Sequence, residues 1–248
     1  MSVRVKYGLL GVFVYFVFLL VFVPARFLLP YIKGNLPQSL RLADMSGSVW
    51  SGHLALLSMQ SGQAQELSRV RFDFSIAPLF SGRWGYALSL QGPLKGRMGV
   101  AFGAHTVQFS DVDASMPAAT LASFLTAARN FGPSGRLSVK AKGLLWGPHS
   151  QGSGVLSWRD AAIVSAPVSP LGSYSALFTL RGAVISYHVK TQKGPLWLTG
   201  HGRFFMTTEI FSFTGDVSGR GARLAGLVQN IGAPDGHGGR TLTFESRL

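Results

Sequence analysis

The chain has 248 residues, 47% hydrophobic and 13% charged, enough to bury one large core or two of about 100 residues each, which excludes a disordered chain. It has no cysteine, which removes disulfides, thiolate metal sites, iron–sulfur clusters and cysteine nucleophiles. The formal net charge is +13, but the charges are dispersed and no Lys/Arg run carries interleaved aromatics, so a basic surface is expected rather than a nucleic-acid site.

The first element is apolar. Gly8 to Val23, GLLGVFVYFVFLLVFV, holds no charged residue, and Arg4 and Lys6 precede it. As a helix it is about 24 Å long at 1.5 Å per residue, slightly short of a hydrocarbon core of about 30 Å, and the following PARFLLPYI can extend it. The basic tail predicts a cytoplasmic N-terminus with everything after residue 33 translocated. The length favours a permanent anchor over a signal peptide, although Val-Pro-Ala at 23–25 offers small residues to a peptidase.

Beyond the anchor the period becomes two. In VRFDFSI, Val70, Phe72, Phe74 and Ile76 fall on one face and Arg71, Asp73 and Ser75 on the other. WGYALSL alternates Trp84, Tyr86, Leu88 and Leu90 with small residues, and Ile185, Tyr187 and Val189, then Phe211 and Phe213, repeat the pattern. One apolar and one wet face predict an antiparallel sheet. Twice the period turns helical. PAATLASFLTAARNFG places Leu121, Phe124, Leu125 and Ala128 together, with Pro117 at a first turn and Gly132 as a stop. GARLAGLVQNIG does the same with Leu224, Leu227, Val228 and Ile231, stopping at Gly232.

Landmarks recur about 100 residues apart. Ser51-Gly52 answers Ser153-Gly154, and Gly92-Pro93-Leu94 answers Gly194-Pro195-Leu196, both at an offset of 102. Asn130-Phe131-Gly132 answers Asn230-Ile231-Gly232 at an offset of 100. The order and spacing predict two similar units. Each Gly-Pro-Leu reads as a hairpin turn, and each helix is followed by a Pro-x-Gly turn (Pro133-Ser134-Gly135 and Pro234-Asp235-Gly236) and a closing strand.

Catalytic motifs are thin. There is no Gly-x-Ser-x-Gly elbow and no phosphate-binding glycine loop. The histidines at 53, 105, 149, 188, 201 and 237 stand apart, and Asp111 with Asp113 on one strand face supplies too few oxygens for calcium. The expectation is a protein that is not an enzyme, with no catalytic residues, cofactor or metal. The five tryptophans (Trp50, Trp84, Trp146, Trp158, Trp197) lie in or beside strand-like runs and read as sheet-face packing, or as an apolar interaction surface.

In order, SGSVWSGH, FSIAPLFSGRWGY, GVLSWRDAAIVSAPVSPLGSY, KGPLWLTGHGRF and NIGAPDGHGGRTLTF resemble the type II secretion system protein N family over nearly the whole chain, with residues 98–119 outside the match. The resemblance implies a single-pass protein of the bacterial inner membrane with a β-rich periplasmic body. It implies assembly contacts with other inner-membrane proteins of that secretion machine and a distant likeness to AsmA-like sheets associated with lipid, while the dispersed charge and the translocated body lead to no expected nucleic-acid partner. The expected fold is therefore mainly β. Tail and anchor (1–33) precede an elongated, curved antiparallel sheet of two similar units (34–142 and 143–248), each with one short helix. The candidate structural or interaction residues are Trp50, Gly52, Trp84, Trp158, Leu171, Gly172, Tyr174, Gly194, Pro195, Leu196, Gly232, Pro234, Asp235 and Gly236. The alternative function is a lipid-binding or lipid-transfer module in the periplasm.

Overall fold

A computed structural model describes residues 23–25, 40–60, 63–122, 131–219, 224, 228, 233–234 and 239–247. Of the expected tail and anchor (1–33) only residues 23–25 are described, and they pack on the sheet rather than extend the apolar run; among the described residues no helix is long and apolar enough to cross a membrane.

The described chain is a single sheet of 14 strands. In chain order these are β1 (Leu40–Gly47), β2 (Ser51–Gln60), β3 (Gln63–Ser75), β4 (Trp84–Gln91), β5 (Lys95–Phe102) and β6 (Val107–Pro117). After the short helix α1 (Ala118–Ala122) come β7 (Ser134–Trp146), β8 (Gln151–Ala162), β9 (Gly172–Arg181), β10 (Val184–Lys193), β11 (Leu196–Phe205) and β12 (Ile210–Gly219). The two-residue β13 (Ala233–Pro234) and β14 (Arg240–Arg247) close the chain. Every strand pairs antiparallel with its chain neighbour, except that β14 sits between β12 and β13. Such an order needs only local turns, and the glycine–proline punctuation supplies several. Both Gly-Pro-Leu segments form the expected hairpins, β4–β5 and β10–β11, with Gly92 at φ 133° and Gly194 at φ 131°. These angles are open to glycine and costly for other residues.

The sheet runs without interruption through residue 142, which lies inside β7. The region from 98 to 119 forms most of β5 and all of β6, in the same ladder. Pro117 closes β6 opposite Arg136, one residue before α1 begins. Gly132 has the left-handed backbone expected of it, at φ 52°. Residues 123–130 of that helical pattern are outside the description, and of the second pattern Leu224 and Val228 are described, both helical and buried.

The core is thin because the sheet is one layer. Its tightest part gathers Ala25, Leu54 and Phe72, with Leu42, Met45, Val70, Tyr86 and Leu88 packed around them. Ala25 is fully buried there, and the chain just before it is tied to the β1–β2 turn. The Val49 N–H donates to the Val23 carbonyl at 2.9 Å, and Pro24 bridges to Ser48.

Candidate functional site

Register turns the alternation of single strands into a surface. Paired residues share a face, so Gly52, Phe72, Leu88 and Met98 line up across β2 to β5. Farther along, Leu137, Trp158 and Tyr174 do so across β7 to β9, and Tyr187, Gly202, Phe213 and Phe244 across β10 to β14. This face is apolar from one end of the sheet to the other. The opposite face carries Arg71, Arg97, Lys140, Arg159, Lys190 and Arg203, relieved by Asp73 and Asp113, with Val155, Leu177 and Trp197 exposed among them. Arg71 bonds Asp73 at 3.0 Å and Lys140 meets Asp113 at 3.3 Å, exposed pairs that add little stability.

The apolar face is buried at Leu54, Phe72, Val100, Val112, Leu180 and Val217 and open at other positions. Leu156 is 43% exposed and Phe244 54%. Toward the last strands it forms a hollow of about 520 Å³ lined by Tyr187, Val189, Leu198, Phe211, Phe213 and Leu242. Tyr187 lies nearly parallel to Phe211 and Phe213, with ring centres 5.4 and 6.4 Å away, and its hydroxyl donates to the Ser212 carbonyl at 2.6 Å. Burial pushes its phenol up to about 12.

Two groups of sequence candidates come together. In the first half, Trp50, Gly52 and Trp84 join one aromatic cluster. Phe74 stands 4.9 Å from Trp50, 5.8 Å from Trp84 and 5.6 Å from Tyr86, and Phe72 covers Gly52. In the second half, Trp158, Leu171, Gly172, Tyr174, Gly194, Pro195 and Leu196 meet at the corner where β8, β9, β10 and β11 reach one sheet edge. The Leu171 N–H donates to the Ala161 carbonyl at 2.7 Å, and the Leu196 N–H to the Leu171 carbonyl at 3.0 Å. The Tyr174 hydroxyl donates to the Leu196 carbonyl at 3.1 Å, and burial pushes this phenol also up to about 12. Trp158 packs on Tyr174 at 6.4 Å and donates its indole N–H to the Ser134 carbonyl at 2.9 Å. Gly194 lies so close to Gly172 that a Cβ on it would meet the Gly172 backbone, and a Cβ on Gly172 would meet the Lys193 carbonyl at 2.7 Å. The first half has a matching bond: the Leu94 N–H donates to the Leu67 carbonyl at 3.0 Å, beside Gly92.

Some candidates fall elsewhere. Pro234 is in β13, exposed and opposite Arg240, and Gly232, Asp235 and Gly236 lie outside the described residues. Ile76 leaves the sheet face expected of it. It stands beyond the end of β3 as the cap of a 3-10 turn, Ala77–Ser81, because Pro78 and Gly82 bend the chain there. The alternation that put Asp111 and Asp113 on one face is broken at Asp111, which has no partner in the register with β5 or β7. Gly99 pairs with Ser110 and Arg97 with Asp113, so one extra residue is accommodated between them.

That extra residue belongs to a feature the alternation misses. Asp44, Asp111 and Asp160 have φ of 51°, 48° and 49°, each beside a break in register in β1, β6 and β8. Left-handed backbone at the first residue of a bulge suits glycine, asparagine or aspartate, and the bulge bends the strand. The signal was an aspartate interrupting an alternating run. Among the described residues no three histidine, aspartate or glutamate side chains are grouped to hold a metal.

The arrangement defines a class of protein: a one-layer antiparallel meander with an apolar face and a basic face, offering extended surface. Residues 38–243 match the family model described as type II secretion system (T2SS), protein N, and the chain belongs to that family. It is thereby a component of the type II secretion system, and membership implies interaction with other components of that machine. No curated protein and no solved structure matches the chain.

Proposed function

We propose that the protein is a non-enzymatic, single-pass component of the bacterial inner membrane that holds its sheet in the periplasm and serves protein export across the outer membrane through contacts with other secretion-system proteins. The observation that carries this reading is the apolar face, continuous over the whole sheet and open at Leu156 and Phe244, on a chain of the protein N family. The openings at Leu156 and Phe244 on an otherwise continuous apolar face give a partner apolar surface to cover. The uninterrupted Gly8–Val23 run and the basic residues before it support the anchor and its orientation.

The body is built from two copies of one unit. Support comes from the matching Gly92 and Gly194 hairpins and their leucine-to-leucine backbone bonds, and from Phe72 over Gly52 matching Phe178 over Gly154. In vivo photo-cross-linking from Leu156 and from Phe244 tests the contact reading. Adducts to secretion-system proteins are expected in cells that make the machine, and their absence counts against it. Added protease should degrade the body in spheroplasts and leave it intact in whole cells.

A second reading has its own observation. The aromatic hollow of about 520 Å³ over β10 to β14 has the size and apolar lining that acyl chains need, which favours a lipid-binding module. Native mass spectrometry of the detergent-extracted protein separates the two readings. Co-purified phospholipid lost on Phe213→Asp supports the second, and no bound lipid in repeated preparations removes it.

A further inference from the structure

The meander sets the β1–β2, β3–β4 and β5–β6 turns along one edge of the sheet. Large apolar side chains are exposed there. Ile76 is 64% exposed, Leu79 41% and Phe80 90%, with Trp84 and Phe102 beside them about half exposed. The turn that presents them is well braced. The Gly82 N–H donates to the Leu79 carbonyl at 2.9 Å, the Arg83 N–H to the Pro78 carbonyl at 3.1 Å, and Pro78 packs onto Gly85. A braced turn that spends its apolar residues on solvent is built to meet something.

The same edge receives the chain as it leaves the N-terminal apolar run. Val23 is bonded to Val49 in the β1–β2 turn, and the next residue but one is buried against Leu54 and Phe72. From there contacts lead directly to the exposed group. The Phe74 N–H donates to the Trp50 carbonyl at 2.6 Å, and Phe74 packs on Trp84. With strands about 4.8 Å apart, the β3–β4 turn sits roughly 10 Å along the edge from the turn that holds Val23. Aromatic and aliphatic side chains at such a level match the aromatic belt of membrane–water interfaces, and the net charge of +9 left on residues 34–248 once Arg4, Lys6, Arg26 and Lys33 are set aside suits anionic headgroups.

We propose that this edge rests on the surface of the membrane that holds the N-terminal run, with Leu79 and Phe80 inserted at the headgroup–acyl boundary and Trp84 and Phe102 at headgroup level. The inference rests on the anchor reading above. It makes the Ala77–Ser81 turn a second, non-spanning membrane contact that sets the angle of the sheet to the bilayer.

The absence of cysteine makes the test direct, because each introduced cysteine is the only label site. The full chain carrying Phe80→Cys, Val164→Cys or Val14→Cys is labelled with a polarity-sensitive fluorophore and reconstituted in nanodiscs of phosphatidylcholine and phosphatidylglycerol containing doxyl lipid. Val164, 85% exposed near the opposite edge, is the control for solvent, and Val14 reports the anchor. The expected result is quenching at least twofold stronger at 80 than at 164, greatest with a shallow doxyl group, and strong quenching at 14 with a deep one. Quenching at 14 with 80 no stronger than 164 overturns the edge contact and leaves the anchor standing. No quenching at 14 overturns the anchor, and the proposal with it.

Discussion

Phe178 covers Gly154 across the β8–β9 pair so closely that a Cβ on the glycine would stand 2.6 Å from the ring. Phe72 covers Gly52 across β2–β3 at 2.7 Å. The two glycines were landmarks at an offset of 102 in sequence, and their partners are neither adjacent to them nor at that offset. An aromatic ring laid over a cross-strand glycine recovers the packing that the glycine cannot supply.

Gly52→Ala and Gly154→Ala should therefore both destabilise the protein, by about 1–3 kcal/mol each, the cost of overpacking a close contact. Urea denaturation of the detergent-solubilised chain measures this. If one substitution is silent and the other severe, the two units do not share this device.

The two hairpin glycines should respond unequally. Both need positive φ, which costs a side chain about 1–3 kcal/mol. At Gly92 a Cβ would stand 3.3 Å from its nearest neighbours, whereas at Gly194 it would collide with the Gly172 backbone and approach the Leu171 carbonyl at 2.7 Å. Gly194→Ala should lower the thermal midpoint clearly more than Gly92→Ala. Equal shifts would show that the corner can relax.

The left-handed aspartates make a prediction of opposite sign for two substitutions at one place. Asp111→Gly should be neutral or slightly stabilising, because glycine accepts φ of 48° freely. Asp111→Val should cost about 1–2 kcal/mol or more, since a β-branched residue is disfavoured there. Equal effects of the two would mean that the carboxylate, rather than the backbone, holds the bulge.

Tyr174 and Tyr187 predict alkaline sensitivity. An exposed phenol ionises near pH 10, and both of these titrate near 12 because burial disfavours the phenolate. Between those values the unfolded chain has lost the proton and the folded chain keeps it, so stability is full below about pH 10 and falls as pH rises through 12. Absorbance at 295 nm should show Tyr174 and Tyr187 ionising late, with Tyr86, which burial also raises, above the range of an exposed phenol. Tyr174→Phe with Tyr187→Phe should flatten the loss of thermal stability over that range, while costing about 0.5–1.5 kcal/mol per missing hydrogen bond at neutral pH. A phase near pH 12 that survives both substitutions undiminished would assign it to other tyrosines.

The sequence by itself determined the class of fold and its two faces. A period of two is a property of the extended backbone, so VRFDFSI and WGYALSL state which side chains share a face before any strand has a partner. The Gly-Pro hairpins are equally local, because the turn conformation is written into the residues that make it. The order of motifs also carried the family, and the family carried the secretion role. What needed tertiary structure was everything set by pairing. Alternation cannot foresee a bulge, because the extra residue is defined only against the neighbouring strand, and so Asp111 and Asp113 were expected on one face. Spacing could not bring Trp158, Leu171, Tyr174 and Leu196 to one corner, or put Ala25 under the first aromatic cluster. Those contacts join residues far apart in the chain, and only the register of a continuous sheet decides which of them meet.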